Sequence, residues 1–102
     1  MIVVADTSPL NYLIRLRQLE ILRDLFGRVI APNAVISELL HSSAPAEVRA
    51  WATHPPAWLV VCSPQHIDPT LGSELGPGER EAISLAMEHR ADVLLIDDRA
   101  GR

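Results

Sequence analysis

Acidic side chains stand at four separated points of this chain. Asp6 closes the first apolar run, Glu38 lies in Ala34-Val-Ile-Ser-Glu38-Leu-Leu40, Glu79 follows Gly76-Pro-Gly78, and Asp97-Asp98 close the last apolar run. Carboxylates at strand ends are the donors a magnesium or manganese site needs, because these hard cations take oxygen ligands. Zinc fits less well: His41, His54, His66 and His89 have no ligand spacing, and the single cysteine, Cys62, belongs to the apolar run Trp58-Leu-Val-Val-Cys62, so neither a histidine pair nor a thiolate cluster accompanies the acids. Several carboxylates brought together raise one another's pKa unless an ion is bound. One or two such ions lower the pKa of a bound water and stabilise in-line attack on a phosphodiester, so the nucleophile is water and no covalent enzyme intermediate forms.

Taken singly, each acid has an ordinary explanation. Asp6 precedes Thr7-Ser8-Pro9 and suits an Asx cap, with Ser8 and Pro9 a good cap and first-turn pair. Glu38 suits a solvated helix position, Glu79 a helix N-terminus whose dipole favours negative charge, and Asp97-Asp98 a turn after a strand. Helix geometry adds to the case for Glu79. At about 100° per residue it shares a face with Ala82, Ile83 and Ala86, while Glu81 and Glu88 point the opposite way. A carboxylate on an apolar stripe needs a partner, and the chain contains no lysine. The ordinary explanations do not account for the four acids as a set.

The elements that must bring them together are legible as an alternation. Residues 2–6 and 92–97 are apolar at nearly every position, the pattern of strands buried on both faces of a parallel sheet, and in such sheets ligands bind at the carboxyl ends of strands. Leucines and isoleucines at three- and four-residue steps predict a helix from about Pro9 to Leu25, with Gly27 placed to stop it. A short segment at 29–31 meets Pro32, which opens a helix to about Leu40; Pro45 opens another to about Thr53, ended by His54-Pro55-Pro56. A strand at 59–62, a loop at 63–78 and a helix from Glu79 to about Arg90 complete the order. This predicts an α/β fold: a three-layer α/β/α sandwich with a mostly parallel central sheet. Such a sheet ordinarily continues beyond a segment like Asp97-Asp98, so the expectation is a single domain, 1–102, lacking a last helix and strand.

Composition sets the broad class. At 102 residues the chain is one domain, and 48% hydrophobic with 22% charged residues is the balance of a globular domain rather than a disordered one. No apolar run reaches the roughly 20 residues of a membrane span, and no basic segment leads into a secretory stretch, so a cytoplasmic protein with no membrane partner is expected. One cysteine excludes an intrachain disulfide and suits a packed core thiol. A formal net charge of −4 argues against a surface that grips nucleic acid all over, though not against a local basic rim. All nine basic residues are arginine, with Arg15, Arg17, Arg23 and Arg28 in or just after the first helix and Arg99 and Arg102 after the last acids. Their forks suit phosphate; a genomic codon bias explains the absence of lysine equally well.

Four segments taken in order, Val3-Val-Ala-Asp6-Thr-Ser-Pro-Leu10, Ala34-Val-Ile-Ser-Glu38-Leu-Leu40, Gly76-Pro-Gly-Glu79-Arg-Glu-Ala-Ile83-Ser-Leu-Ala86 and Leu94-Leu-Ile-Asp97-Asp98-Arg99-Ala-Gly-Arg102, resemble the PIN domain, most nearly the toxin nucleases of toxin-antitoxin pairs. The resemblance spans the whole chain. It implies a Mg²⁺- or Mn²⁺-dependent endoribonuclease that hydrolyses RNA with a metal-activated water and has a cognate antitoxin protein as partner. By position it makes Asp6, Glu38 and Glu79 the first three acids and Asp97 or Asp98 the fourth, with Asp98 preferred for direct ligation. Ser8 matches a small polar position that holds Asp6 or a metal-bound water. The departure is the ending, since family members continue for tens of residues after the Asp-Asp-Arg segment, and a sheet without them presents an unpaired edge. The alternative expectation is therefore a catalytically inactive, truncated PIN-like domain that binds an antitoxin or forms a homodimer, with Leu10, Tyr12 and Leu16 as a dimer face where core packing does not claim them. Phosphate-loop, dinucleotide and Asp-x-Asp phosphatase signatures are absent from the sequence, and Ser8 stands where the last of these needs an acid.

Overall fold

The computed structural model describes residues 1–72 and 74–96, so Asp97, Asp98 and Arg99 lie outside the described residues. In chain order the elements are β1 (Val3–Ala5), α1 (Thr7–Arg15), α2 (Glu20–Phe26), β2 (Val29–Pro32), α3 (Asn33–Leu39), α4 (Ala46–Thr53), β3 (Leu59–Cys62), α5 (Pro77–His89) and β4 (Val93–Leu95). The four strands make one parallel sheet in the order β3-β2-β1-β4, with Val4 opposite Ile30 on one side and Leu94 on the other. The chain builds outward from β1 through β2 to β3, then returns to add β4 on the far side of β1. That reversal is the switch point at whose carboxyl edge open α/β sheets bind ligands. Asp6 lies on it: its backbone N–H donates to the Leu95 carbonyl at 2.9 Å.

Alternation along β1 divides the core. Val3 and Ala5 pack against Leu10, Ile14, Val35 and Val48 from the helices of one face, while Val4 packs against Ala82 and Leu85 of α5 on the other. The result is the three-layer α/β/α arrangement expected. β1 is buried at all three positions, as its unbroken apolar run predicts, whereas β4 is half-buried and β3 buries Leu59 but exposes Val61. Cys62 is half-buried beside the second cluster, and burial, followed by the charge of Glu88, pushes its thiol pKa up. All four histidines are exposed. Among the described residues no helix is long and apolar enough to cross a membrane.

The helix expected over 9–25 is two helices. After Arg15 the chain closes a Schellman turn, with Arg17 N–H donating to the Ile14 carbonyl at 3.0 Å, Gln18 N–H to Leu13 at 2.9 Å, and Arg17 left-handed at φ 56°. The turn brings Leu19 and Leu22 back into the core beneath α2, and leaves Leu16 and Leu25 exposed. A leucine every three or four residues is equally consistent with one straight helix or two bent ones, so the periodicity could not show the break. Of the three residues expected at a dimer face, Leu10 is fully buried in the core; Tyr12 and Leu16 are exposed.

Candidate functional site

Asp6 ends the most buried strand of the sheet, so its carboxylate is drawn out of water with it: the residue is only 2% exposed. Its Oδ1 is buried with no hydrogen-bond partner among the described residues. Burial pushes the carboxyl pKa up to about 6; the Thr7 amide pulls it back, and the negative charges of Glu79 and then Glu38 add to the rise. Asp6, at the end of β1, thus senses the charge of the acids brought by α3 and α5. The fourth station, Asp97-Asp98, lies outside the described residues.

Glu38 is exposed by area yet is held at both oxygens. Thr7 Oγ1 donates to Oε2 at 2.9 Å, and the Gly78 backbone N–H donates to Oε1 at 2.9 Å. The Gly78 bond comes from the first turn of α5, whose positive dipole end suits a carboxylate. A Cβ on residue 78 would run into Glu38 Oε1 and stand 3.0 Å from Thr7 Oγ1, so those side-chain ends would have to move. Glu79, the next residue, reaches back to the Gly76 N–H at 3.4 Å, one half of a capping box.

The buried stripe of α5 runs through Gly78, Ala82 and Leu85, with Glu79 and Glu81 on its two flanks, rather than through Glu79 with Glu81 turned away. Because helix α5 opens at Pro77, inside the expected loop, Gly78 rather than Glu79 faces α3. Glu81 Oε1 accepts the Ala34 N–H at 3.3 Å. Together with the Gly78 bond, this makes α3 and α5 cap one another through their acids. Glu88 accepts the N–H groups of Gln65 at 2.8 Å and His66 at 3.4 Å, and so fastens the loop before α5.

Thr7 and Gly78 are the site residues that sequence reasoning missed. Both neighbour an acid that it identified, which was the available signal. Ser8 is half-buried and makes no hydrogen bond to Asp6 among the described residues; the hydroxyl that touches an acid is Thr7's. No three His, Cys, Asp or Glu side chains among the described residues are grouped closely enough to hold one metal ion as they stand; Glu38 and Glu79 accept from protein donors there. The donor chemistry nevertheless fits a hard cation: an unpartnered, desolvated carboxylate oxygen on Asp6 lies within the field of two further carboxylates.

Asp6 gives a signed pH dependence. Near pH 3.8, where an ordinary Asp gives up its proton, and up to about 6, the folded chain keeps a proton that the unfolded chain releases. This contribution favours folding on the acid side and is lost as pH rises through 6. In chelator, the melting temperature of wild type relative to Asp6→Asn is therefore expected to fall between pH 4.5 and 7. A difference that stays flat or rises would contradict the raised carboxyl pKa.

Comparison with curated proteins and with solved structures gives no match. The family model for the PIN domain matches residues 2–102. Domains of this kind are generally nucleases that use divalent metal ions on nucleic-acid substrates. Since the match runs from β1 to the end of the chain, taking in every acid considered above, this protein belongs to the PIN-domain family.

Proposed function

We propose that this chain is a metal-dependent endoribonuclease of the toxin-antitoxin type, with Asp6, Glu38 and Glu79 as its acidic centre and Asp98, or Asp97, as the fourth acid. The observation that supports it best is the Asp6 carboxylate, buried at the switch point of a parallel sheet with its Oδ1 unpartnered among the described residues. Mg²⁺ or Mn²⁺ held by these acids would neutralise charge on the phosphodiester and supply an activated water. The protein's own part is positioning. Thr7 and Gly78 fix Glu38, Gly76 restrains Glu79, and the packed end of β1 keeps water from screening Asp6. Near neutral pH a carboxyl with a pKa of about 6 is mostly ionised and ready to ligate. The same reading gives the protein an antitoxin partner, a cytoplasmic location and a homodimer, for which the exposed Tyr12 and Leu16 of α1 offer apolar surface.

A second reading, an inactive PIN domain that binds a protein partner without cleaving RNA, draws on the protein donors already engaged by Glu38 and Glu79. RNA cleavage separates the two. With single-stranded RNA and millimolar Mn²⁺, wild type is expected to cut, EDTA to stop it, and Asp6→Asn and Glu79→Gln to slow it by about 100-fold or more. Intact RNA, or variants that cut like wild type, would favour the inactive reading.

A further inference from the structure

Each oxygen of Glu38 is held by the chain neighbour of another acid. Oε2 accepts the hydroxyl of Thr7, which follows Asp6, and Oε1 accepts the N–H of Gly78, which precedes Glu79, both at 2.9 Å. One carboxylate of α3 thereby ties the start of α1 to the first turn of α5. We infer that Glu38 is a positioning residue, which sets the spacing of Asp6 and Glu79 through Thr7 and Gly78 and keeps both bonds when a cation is held. The inference rests on the metal-dependent reading of the acids and adds to it a division of labour: Asp6 and Glu79 face the ion, and Glu38 holds their backbones in register.

Three observations support it. Gly78 is the second residue of α5, so its N–H has no acceptor within the helix, and Glu38 supplies one. Gly78 is also buried, and a buried donor is costly to leave unpaired, so a Glu38 carboxylate that left for an ion would strand it. The carboxylate is seated against the backbone of α5, close enough that a Cβ on residue 78 would meet it. Finally, the charge of Glu79 raises the Asp6 pKa more than that of Glu38 does. Asp6 and Glu79 are thus the more strongly coupled pair, as two acids that share an ion should be.

The test is amide hydrogen exchange of Gly78 by NMR, in EDTA and in millimolar Mg²⁺, on wild type, Glu38→Gln and Glu38→Ala. Because no helical bond protects this N–H, its exchange reads the Glu38 bond directly. Glutamine keeps an oxygen for Gly78 and offers its amide N–H to Thr7 Oγ1; alanine offers neither. Wild type and Glu38→Gln should exchange about tenfold more slowly than Glu38→Ala, the worth of one hydrogen bond, and Mg²⁺ should leave the wild-type protection in place. In Mg²⁺ titrations Glu38→Gln should bind about tenfold more tightly than Glu38→Ala, a rescue that a contact serving stability alone would not produce. If Mg²⁺ brings wild-type exchange to the Glu38→Ala level, or if the two variants bind Mg²⁺ alike, the positioning role is overturned and the metal-dependent reading stands. If wild type does not bind Mg²⁺, that reading fails and exchange in EDTA decides: protection in wild type and Glu38→Gln but not in Glu38→Ala supports the positioning of Thr7 and Gly78 by Glu38, and equal exchange in all three overturns it.

Discussion

Asp6→Asn is expected to melt about 5 to 10 °C higher than wild type in chelator at pH 7, and to lose any further rise on adding Mn²⁺. Asp6 is 2% exposed with an Oδ1 that has no partner among the described residues, and its pKa is raised from 3.8 to about 6. Holding the charged form in that place costs the folded state up to about 3 kcal/mol. Asparagine removes the charge but keeps the shape and the buried oxygen, so recovery of about 1 to 2 kcal/mol is the reasonable share. A bound cation reverses the sign for wild type alone, since a ligand held only by the folded state adds to its stability. The variant should thus be the more stable protein and the weaker metal binder. Differential scanning calorimetry in EDTA and in Mn²⁺ reads both effects, and a lower melting temperature for Asp6→Asn in EDTA would contradict the strained carboxylate.

Gly78→Ala is expected to damage both stability and cleavage. A methyl group at residue 78 meets the Glu38 carboxylate and Thr7 Oγ1, and Glu38 cannot swing aside without giving up its bonds to Thr7 and to the Gly78 N–H. The cost to stability is that of the hydrogen bonds given up as Glu38 moves, about 1 kcal/mol, and a catalytic group displaced by about an ångström loses on the order of 100-fold in rate. Gly76→Ala is the control: its added Cβ comes only within 3.6 Å of Glu79 Oε1, an ordinary contact, and its φ of −72° suits alanine. The two variants should separate clearly by melting temperature and by cleavage rate. Equal behaviour would show that the contact between α5 and Glu38 is not what positions the acid.

Local patterns made the sheet legible. β1 reads as a strand buried on both faces because Val3, Val4 and Ala5 are all apolar, and each is buried; β3 occupies Leu59–Cys62, the residues expected. The acids at Asp6, Glu38 and Glu79 stood out because their spacing placed them where a parallel sheet converges. What stayed hidden depends on contacts distant in sequence. The turn at Arg17 satisfies the same leucine period as a straight helix. The face of α5 that meets α3 at Gly78, not Glu79, is the one that buries Ala82 and Leu85 with Val4. Thr7 looked like a neighbour of Asp6, yet its hydroxyl serves Glu38, 31 positions away. Asp97 and Asp98, lying outside the described residues, keep their place in the site as part of the proposal.

The central claim is that Asp6, Glu38 and Glu79 form one divalent-cation site, and counting bound Mn²⁺ by electron paramagnetic resonance tests it most directly. Wild type should bind one or two ions, with binding weakened as pH falls through about 6, where Asp6 takes up its proton. Asp6→Asn and Glu79→Gln should each weaken that binding by about 10- to 100-fold. Wild type without bound Mn²⁺ at millimolar concentration, or variants that bind it as wild type does, would contradict the account.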